Sequence, residues 1–246
     1  MTNKKFKLAA MSLATAVAVS TVGPSASAVT YQLEKGDVTV GQDDTGAAYS
    51  YQNQTEGKTE NVYVDKDTQD SGQIIITQAE GTKTDNTVTV EENVTNENGK
   101  RDVDIILDGV NVDTSDTSTQ TDTSAEVLTD NKEDKTIIKV GEGADVDLTV
   151  RDSNLTTGGH GIDIGVNLEG EDDNKGANVD LTLDNTQINL TQNGKAGINV
   201  QDNSNVDLTL KDKNTIDGSE AIKKEEDGIL TCLLYTSPSP RDRSLS

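Results

Sequence analysis

The sequence predicts an all-β chain folded as a solenoid of stacked coils, and three observations carry that expectation. One alternating motif occurs four times, at Val103–Leu107, Val146–Val150, Val179–Leu183 and Val206–Leu210. Each copy is followed by turn-forming residues and then by a second short apolar stretch. No segment sustains the 3.6-residue apolar period of an amphipathic helix, and the apolar positions of the motif are largely β-branched or leucine.

Within each copy, Val, Ile or Leu, and Leu or Val take every second position, with Asp and Thr or Ile between them. Side chains alternate across a strand, so one face is apolar and the other polar. Asp108-Gly109, Asp152-Ser153, Asp184-Asn185 and Asp212-Lys213 then bend the chain at a fixed place. Val112, Leu155, Ile188 and Ile216 mark a second strand, and Gly161–Ile164, Gly197–Val200 and Ala221–Ile222 a third.

The motif starts lie 43, 33 and 27 residues apart. Such unequal spacing fits coils that let out loops at one corner, here the polar inserts Thr114–Thr123 and Glu169–Lys175. A single three-strand coil has no closed core, but stacked coils share a column of Val, Ile and Leu. Coils ~4.8 Å apart also let Asn111, Asn154, Gln187 and Asn214 stack as an amide ladder in the turn. Upstream, Val38–Val40, Val62–Val64, Gly72–Ile76 and Thr87–Val90 read as shorter strands. Residues 29–71 are expected to form an N-terminal cap that protects the first strand edge, and residues 72–231 the coils.

The two ends read differently from the middle. Lys4, Lys5 and Lys7 precede an uncharged run from Leu8 to Val22, and Ala26-Ser27-Ala28 follows, the layout of a secretory signal peptide. Residues 1–28 are therefore expected to be removed after Ala28, giving a secreted or cell-surface protein. The run is shorter than the ~20 apolar residues of a membrane span, and no span is expected elsewhere. At the other end, Cys232–Asp242 resembles the translated read-through of a transposase-type DNA-sequencing adapter. That resemblance implies a native chain truncated near Thr231 and a foreign tail over 232–246. Cys232 is the only cysteine, so neither a disulfide framework nor thiol chemistry is expected.

Composition narrows the function. The chain has 44 acidic and 21 basic residues, a net charge of −23, so it lacks the basic footprint of a nucleic-acid binder and attracts cations instead. There is no Trp, and no aromatic residue falls between Tyr63 and Tyr235, so the coils offer no platform for stacking a sugar. Stacking is left to Tyr31, Tyr49, Tyr51 and Tyr63.

The sharpest candidate site is an outward column of Asp104, Asp147, Asp180 and Asp207. Carboxylates ~5 Å apart repel by roughly 1 kcal/mol in water and by more at lower effective dielectric. Such a row is either splayed into solvent or bridged by cations, and calcium suits it because it takes oxygen ligands flexibly and tolerates water. A second calcium candidate is the oxygen-rich stretch holding Asp172, Asn174 and Asn178, although it lacks the glycine and bidentate Glu of a helix-loop-helix calcium loop. Gly158–Asp163 copies the start of a calcium-binding nonapeptide only once, and its His160, the only His, reads as an exposed turn residue. Arg151 is the one placed candidate for a catalytic base. Without a second basic clamp it reads as a surface ion pair.

Val103–Val112, the later Val-Asp-Leu-Thr-Leu copies and Asn214–Ile222 together are similar to secreted right-handed parallel β-helix proteins of Gram-positive bacteria. The resemblance covers about residues 72–231. It implies a right-handed parallel β-helix with an N-terminal cap, and a non-enzymatic module that captures acidic polysaccharide or cell-wall glycan through calcium. A passive spacer of a large surface adhesin, or a polysaccharide lyase, are the other functions the resemblance allows.

Overall fold

The computed structural model describes residues 28–43, 48–54, 57–63, 73–94, 103–115, 135–170 and 175–235. These residues are all-β, with one short 3-10 turn at Leu33–Lys35 and no α-helix among them. The N-terminal part holds β1 (Val29–Gln32), β2 (Val38–Gln42), β3 (Ala48–Gln54), β4 (Gly57–Lys58) and β5 (Val62–Tyr63). Then come β6 (Gln73–Thr77), β7 (Val88–Val90), β8 (Val103–Asp108), β9 (Asn111–Asp113) and β10 (Ile138–Gly141). The regular part continues with β11 (Asp145–Arg151), β12 (Asn154–Thr157), β13 (Ile162–Val166), β14 (Asn178–Asp184) and β15 (Gln187–Leu190). It ends with β16 (Ala196–Val200), β17 (Asn205–Lys211), β18 (Thr215–Asp217), β19 (Glu220–Lys224) and β20 (Ile229–Tyr235).

Three sheets collect these strands. Sheet 1 runs β1-β6-β8-β11-β14-β17-β20, sheet 2 runs β9-β12-β15-β18, and sheet 3 runs from β19 through β16, β13, β10, β7 and β2 to the hairpin strands β3, β4 and β5. From β8 onward the chain visits sheets 1, 2 and 3 in that order, again and again, so each pass adds one strand to each sheet. Pairing within sheets 1 and 2 is parallel throughout. This is an architecture compatible with a β-solenoid. The antiparallel pairs among the described residues all involve β3, which covers the outer edge of β2.

The four repeated motifs lie side by side in sheet 1. Val146 pairs with Val103 and Val179, and Val179 with Val206, with no slip along the strands. Ile105, Leu107, Leu148, Val150, Leu181 and Leu183 are buried on the inner face and join one cluster with Val112, Leu155 and Ile188 of sheet 2 and Ile138, Ile162, Ile164 and Ile198 of sheet 3. Burying such a side chain contributes about 1.5–3 kcal/mol, so the shared column is the main source of stability.

Corners depend on left-handed backbone. Gly109, Asp152, Asn185 and Asp212 have φ of 66°, 49°, 49° and 52° and stand one above another between sheets 1 and 2. Asn and Asp are the side-chain-bearing residues that tolerate this region best, which is why the repeat conserves its shape without repeating glycine. A residue one or two positions later seals the corner: Ser153 Oγ accepts the Val110 N–H at 3.2 Å, and Asn214 Oδ1 accepts the Thr186 N–H at 2.9 Å. Asn93, Gly143, Gly176 and Asn203 form a second left-handed corner between sheets 3 and 1. There a Cβ on Gly176 would stand 2.2 Å from the Asn203 carbonyl oxygen.

Five strands escaped the sequence reading: β1, β3, the two-residue β4, β10 and β20. β1 and β3 alternate Tyr with polar residues and so lack an aliphatic signal, and β10 follows the long insert that hides its place in the repeat. β20 reaches Tyr235, so Cys232–Tyr235, set aside in the sequence reading, pair in register with Leu208–Lys211.

Two substitutions test this account by denaturant unfolding. Leu181→Ala is expected to cost about 2–5 kcal/mol through the cavity it leaves. Asn185→Gly should be close to neutral, whereas Asn185→Val should cost about 1–2 kcal/mol because a branched Cβ opposes positive φ.

Candidate functional site

The outward face of sheet 1 is laid out in columns by the parallel register. Asp104, Asp147, Asp180 and Asp207 pair successively across β8, β11, β14 and β17, so the predicted acidic column stands in line. The first two are half-buried and the last two exposed. At the ~4.8 Å separation of paired strands, Asp147 and Asp180 face a like charge above and below, whereas the column ends at Gln73 beyond Asp104 and at Thr231 beyond Asp207.

Beside it runs a column that the sequence reading missed: Asp145, Asn178 and Asn205 pair in register, two residues before the aspartates and on the same face. The motif is therefore Asp/Asn-Val-Asp-Leu-Thr, and extending the repeat backwards by one residue would have found it. On the other side Thr149, Thr182 and Thr209 align, continuing from Ile106. The candidate oxygen donors thus form a flat lattice two carboxylate-or-amide columns wide with hydroxyls alongside. Asn178, expected in a local calcium loop, belongs to this lattice. Its companions Asp172 and Asn174 lie outside the described residues. Among the described residues no group of three or more His, Cys, Asp and Glu side chains is gathered closely enough to hold a metal ion. Any cation on this face would take its protein oxygens from neighbouring rungs and complete its shell with water or ligand.

The last column balances charge internally. Asp108, Arg151, Asp184 and Lys211 pair in sequence, alternating in sign. Arg151 Nη2 donates to Asp108 Oδ2 at 2.6 Å. That hydrogen bond, together with the charges of Asp108, Asp152 and Asp184, raises the Arg151 pKa from its already high value, opposite to what a general base needs.

The amide ladder is partly as expected. Asn111, Asn154 and Gln187 align in sheet 2, and the fourth rung is Thr215. Asn214 falls one residue earlier, where its side chain seals the corner. The side-chain hydrogen bonds run from Asn189 Nδ2 to Asn154 Oδ1 at 2.9 Å and from Asn154 Nδ2 to Asn111 Oδ1 at 3.5 Å. Asn189, two residues beyond Gln187 on the same face, therefore contributes the bond that Gln187 was expected to make.

His160 differs from its expectation as an exposed turn residue. It is half-buried, and its Nδ1 accepts the Ala196 N–H at 3.0 Å. Burial pushes its pKa below the ordinary 6.5, the Lys195 and Lys223 charges act in the same direction, and the Asp163 carboxylate opposes them. Asp163, 8% exposed, accepts Asn199 Nδ2 at 2.8 Å and Gln201 Nε2 at 3.1 Å on the same oxygen. This polar cluster ties two successive passes of sheet 3, those of β13 and β16, together.

Compared with known proteins, the chain matches no family model, no curated protein and no solved structure. No helix among the described residues is long and apolar enough to cross a membrane.

His160 gives a pH test. With the folded pKa below the unfolded value, the unfolded chain takes up the proton first as pH falls. The stability linked to neutral His160 is therefore present above 6.5 and lost as pH drops through the folded value. Asn at this position keeps an acceptor for Ala196 and does not titrate. The melting temperature of the wild type should fall more steeply than that of His160→Asn between about pH 7.5 and about pH 5.

Proposed function

We propose that this chain is a secreted or cell-surface, non-enzymatic module, a right-handed parallel β-helix that binds calcium on the acidic face of sheet 1 and through it an acidic polysaccharide. The observation that carries the reading is the unbroken register of Asp104, Asp147, Asp180 and Asp207, flanked by Asp145, Asn178 and Asn205. A row of fixed carboxylates lowers its own repulsion by taking up divalent cations. A uronate carboxylate can supply oxygens that the shell lacks, which turns the cation into a bridge between two anions. The net charge of −23 fits this order of events, because it repels an acidic glycan until metal is present. The resemblance to secreted calcium-dependent β-helix proteins supports the same reading. No catalytic step is included: the raised pKa of Arg151 and its bond to Asp108 suit an ion pair.

One observation favours a second reading, that of a passive spacer in a surface adhesin. The Asp108, Arg151, Asp184 and Lys211 column neutralises itself, as a merely solvated wall does.

Calorimetric titration separates the two. The binding reading expects calcium uptake at millimolar metal, weakened by about tenfold or more in the Asp147→Asn, Asp180→Asn double variant. Retention on immobilised polygalacturonate should then appear with calcium and disappear with chelator. Absence of both leaves the spacer.

A further inference from the structure

The hairpin face formed by β2 and β3 carries the aromatic residues that the coils lack. Tyr31 shows what a structural tyrosine looks like here: it is 6% exposed, and its hydroxyl meets Ser50 Oγ at 3.1 Å. Tyr49 and Tyr51 differ. They lie two residues apart on the opposite face of β3, half-exposed, with ring centroids 6.2 Å apart and planes only 24° from parallel. The register sets Tyr49 across from Gly41 and from Tyr63, and Tyr51 across from Thr39.

Glycine is what lets the platform lie flat. A Cβ on Gly41 would stand 2.7 Å from the tip of the Tyr49 ring, so any side chain there would lift the ring off the sheet. Tyr49 reaches across β2 and its hydroxyl donates to Glu91 Oε2 at 3.0 Å, which pins the outer end. At the other end Lys58 Nζ lies over the Tyr51 ring, 4.5 Å from its centroid, and Lys58 pairs with Asn53, next on the same face of β3. The result is an apolar tile about two rings long with a carboxylate at one end and an ammonium and an amide at the other.

We propose that this tile is a second glycan subsite, which takes an uncharged pyranose chain without calcium. The C–H face of a pyranose stacks on the electron-rich face of an aromatic ring, and the polar groups at both ends suit its equatorial hydroxyls. Charge selects the neutral class: Glu91 borders the tile and the chain carries −23 overall, so a uronate is disfavoured where no metal bridges it. Lys58 is exposed and flexible, and its exposed cation–π contact is weak enough to yield to a ligand. The subsite lies on sheet 3 and stands independently of the calcium reading for sheet 1.

The test titrates the full chain with a β-1,4-linked glucose pentasaccharide and, separately, an N-acetylglucosamine pentasaccharide, both in chelator. Tyrosine emission and saturation-transfer NMR read binding, because the chain has no Trp to mask the signal. At least one sugar should bind in the millimolar range or tighter. Tyr51→Phe should retain it, and Tyr51→Leu, which keeps apolar cover without the flat face, should weaken it by about tenfold. Circular dichroism and melting temperature establish that each variant is folded. The proposal is overturned if neither sugar binds in chelator, or if folded Tyr51→Leu binds as well as wild type.

Discussion

Every pass of this chain rests on the pass below it through in-register parallel pairing, and the pairing holds register because a slip of one residue would turn Val, Leu and Ile out to solvent and Asp and Thr into the core. The inner residues of the three sheets join one buried cluster, so no single pass is stable by itself and each is completed by its neighbours. The same register that aligns the core aligns whatever lies outside it. A column of aspartates, a column of threonines and a column of alternating charges are consequences of stacking one motif on copies of itself.

Stacking also concentrates demands at the corners. Between sheets 1 and 2 the backbone turns left-handed in each pass, and Gly, Asp, Asn and Asp meet that demand in succession. The following Ser, Thr or Asn returns a side-chain bond to the backbone of an adjacent pass: Thr186 Oγ1, for example, donates to the Val150 carbonyl at 2.9 Å. Loops of different length can then leave from other points without disturbing the columns, which is how spacings of 43, 33 and 27 residues coexist with unbroken pairing.

The two outward faces have different chemistry for a physical reason. Sheet 1 receives the repeated motif, so its surface is periodic, acidic and free of aromatics through the coils. Sheet 3 begins with the hairpin, which lies outside the repeat and can hold tyrosines flat over a glycine. Farther along sheet 3, Asp163 is buried among amides and flanked in register by Lys139 and Asn199. A periodic anionic wall and an irregular mixed wall therefore stand on one body.

From the residues alone came the all-β class, the four repeated strands among the seven of sheet 1, the positions of the turns and the acidic column, because each of these is a local pattern of alternation and turn chemistry repeated along the chain. Strands β1, β3 and β10 were not legible, since Tyr-polar alternation and a long insert disguise them, and neither were the two-residue β4 and the terminal β20. Only the tertiary structure decided the exchange of Asn214 for Thr215 in the ladder, the burial of His160, the choice of Asp108 as the partner of Arg151 and the meeting of Tyr49, Tyr51 and Gly41. Those depend on which residue of one pass lies above which residue of another. A one-residue difference in where a corner falls, invisible in a pattern of apolar spacing, sets that vertical relation.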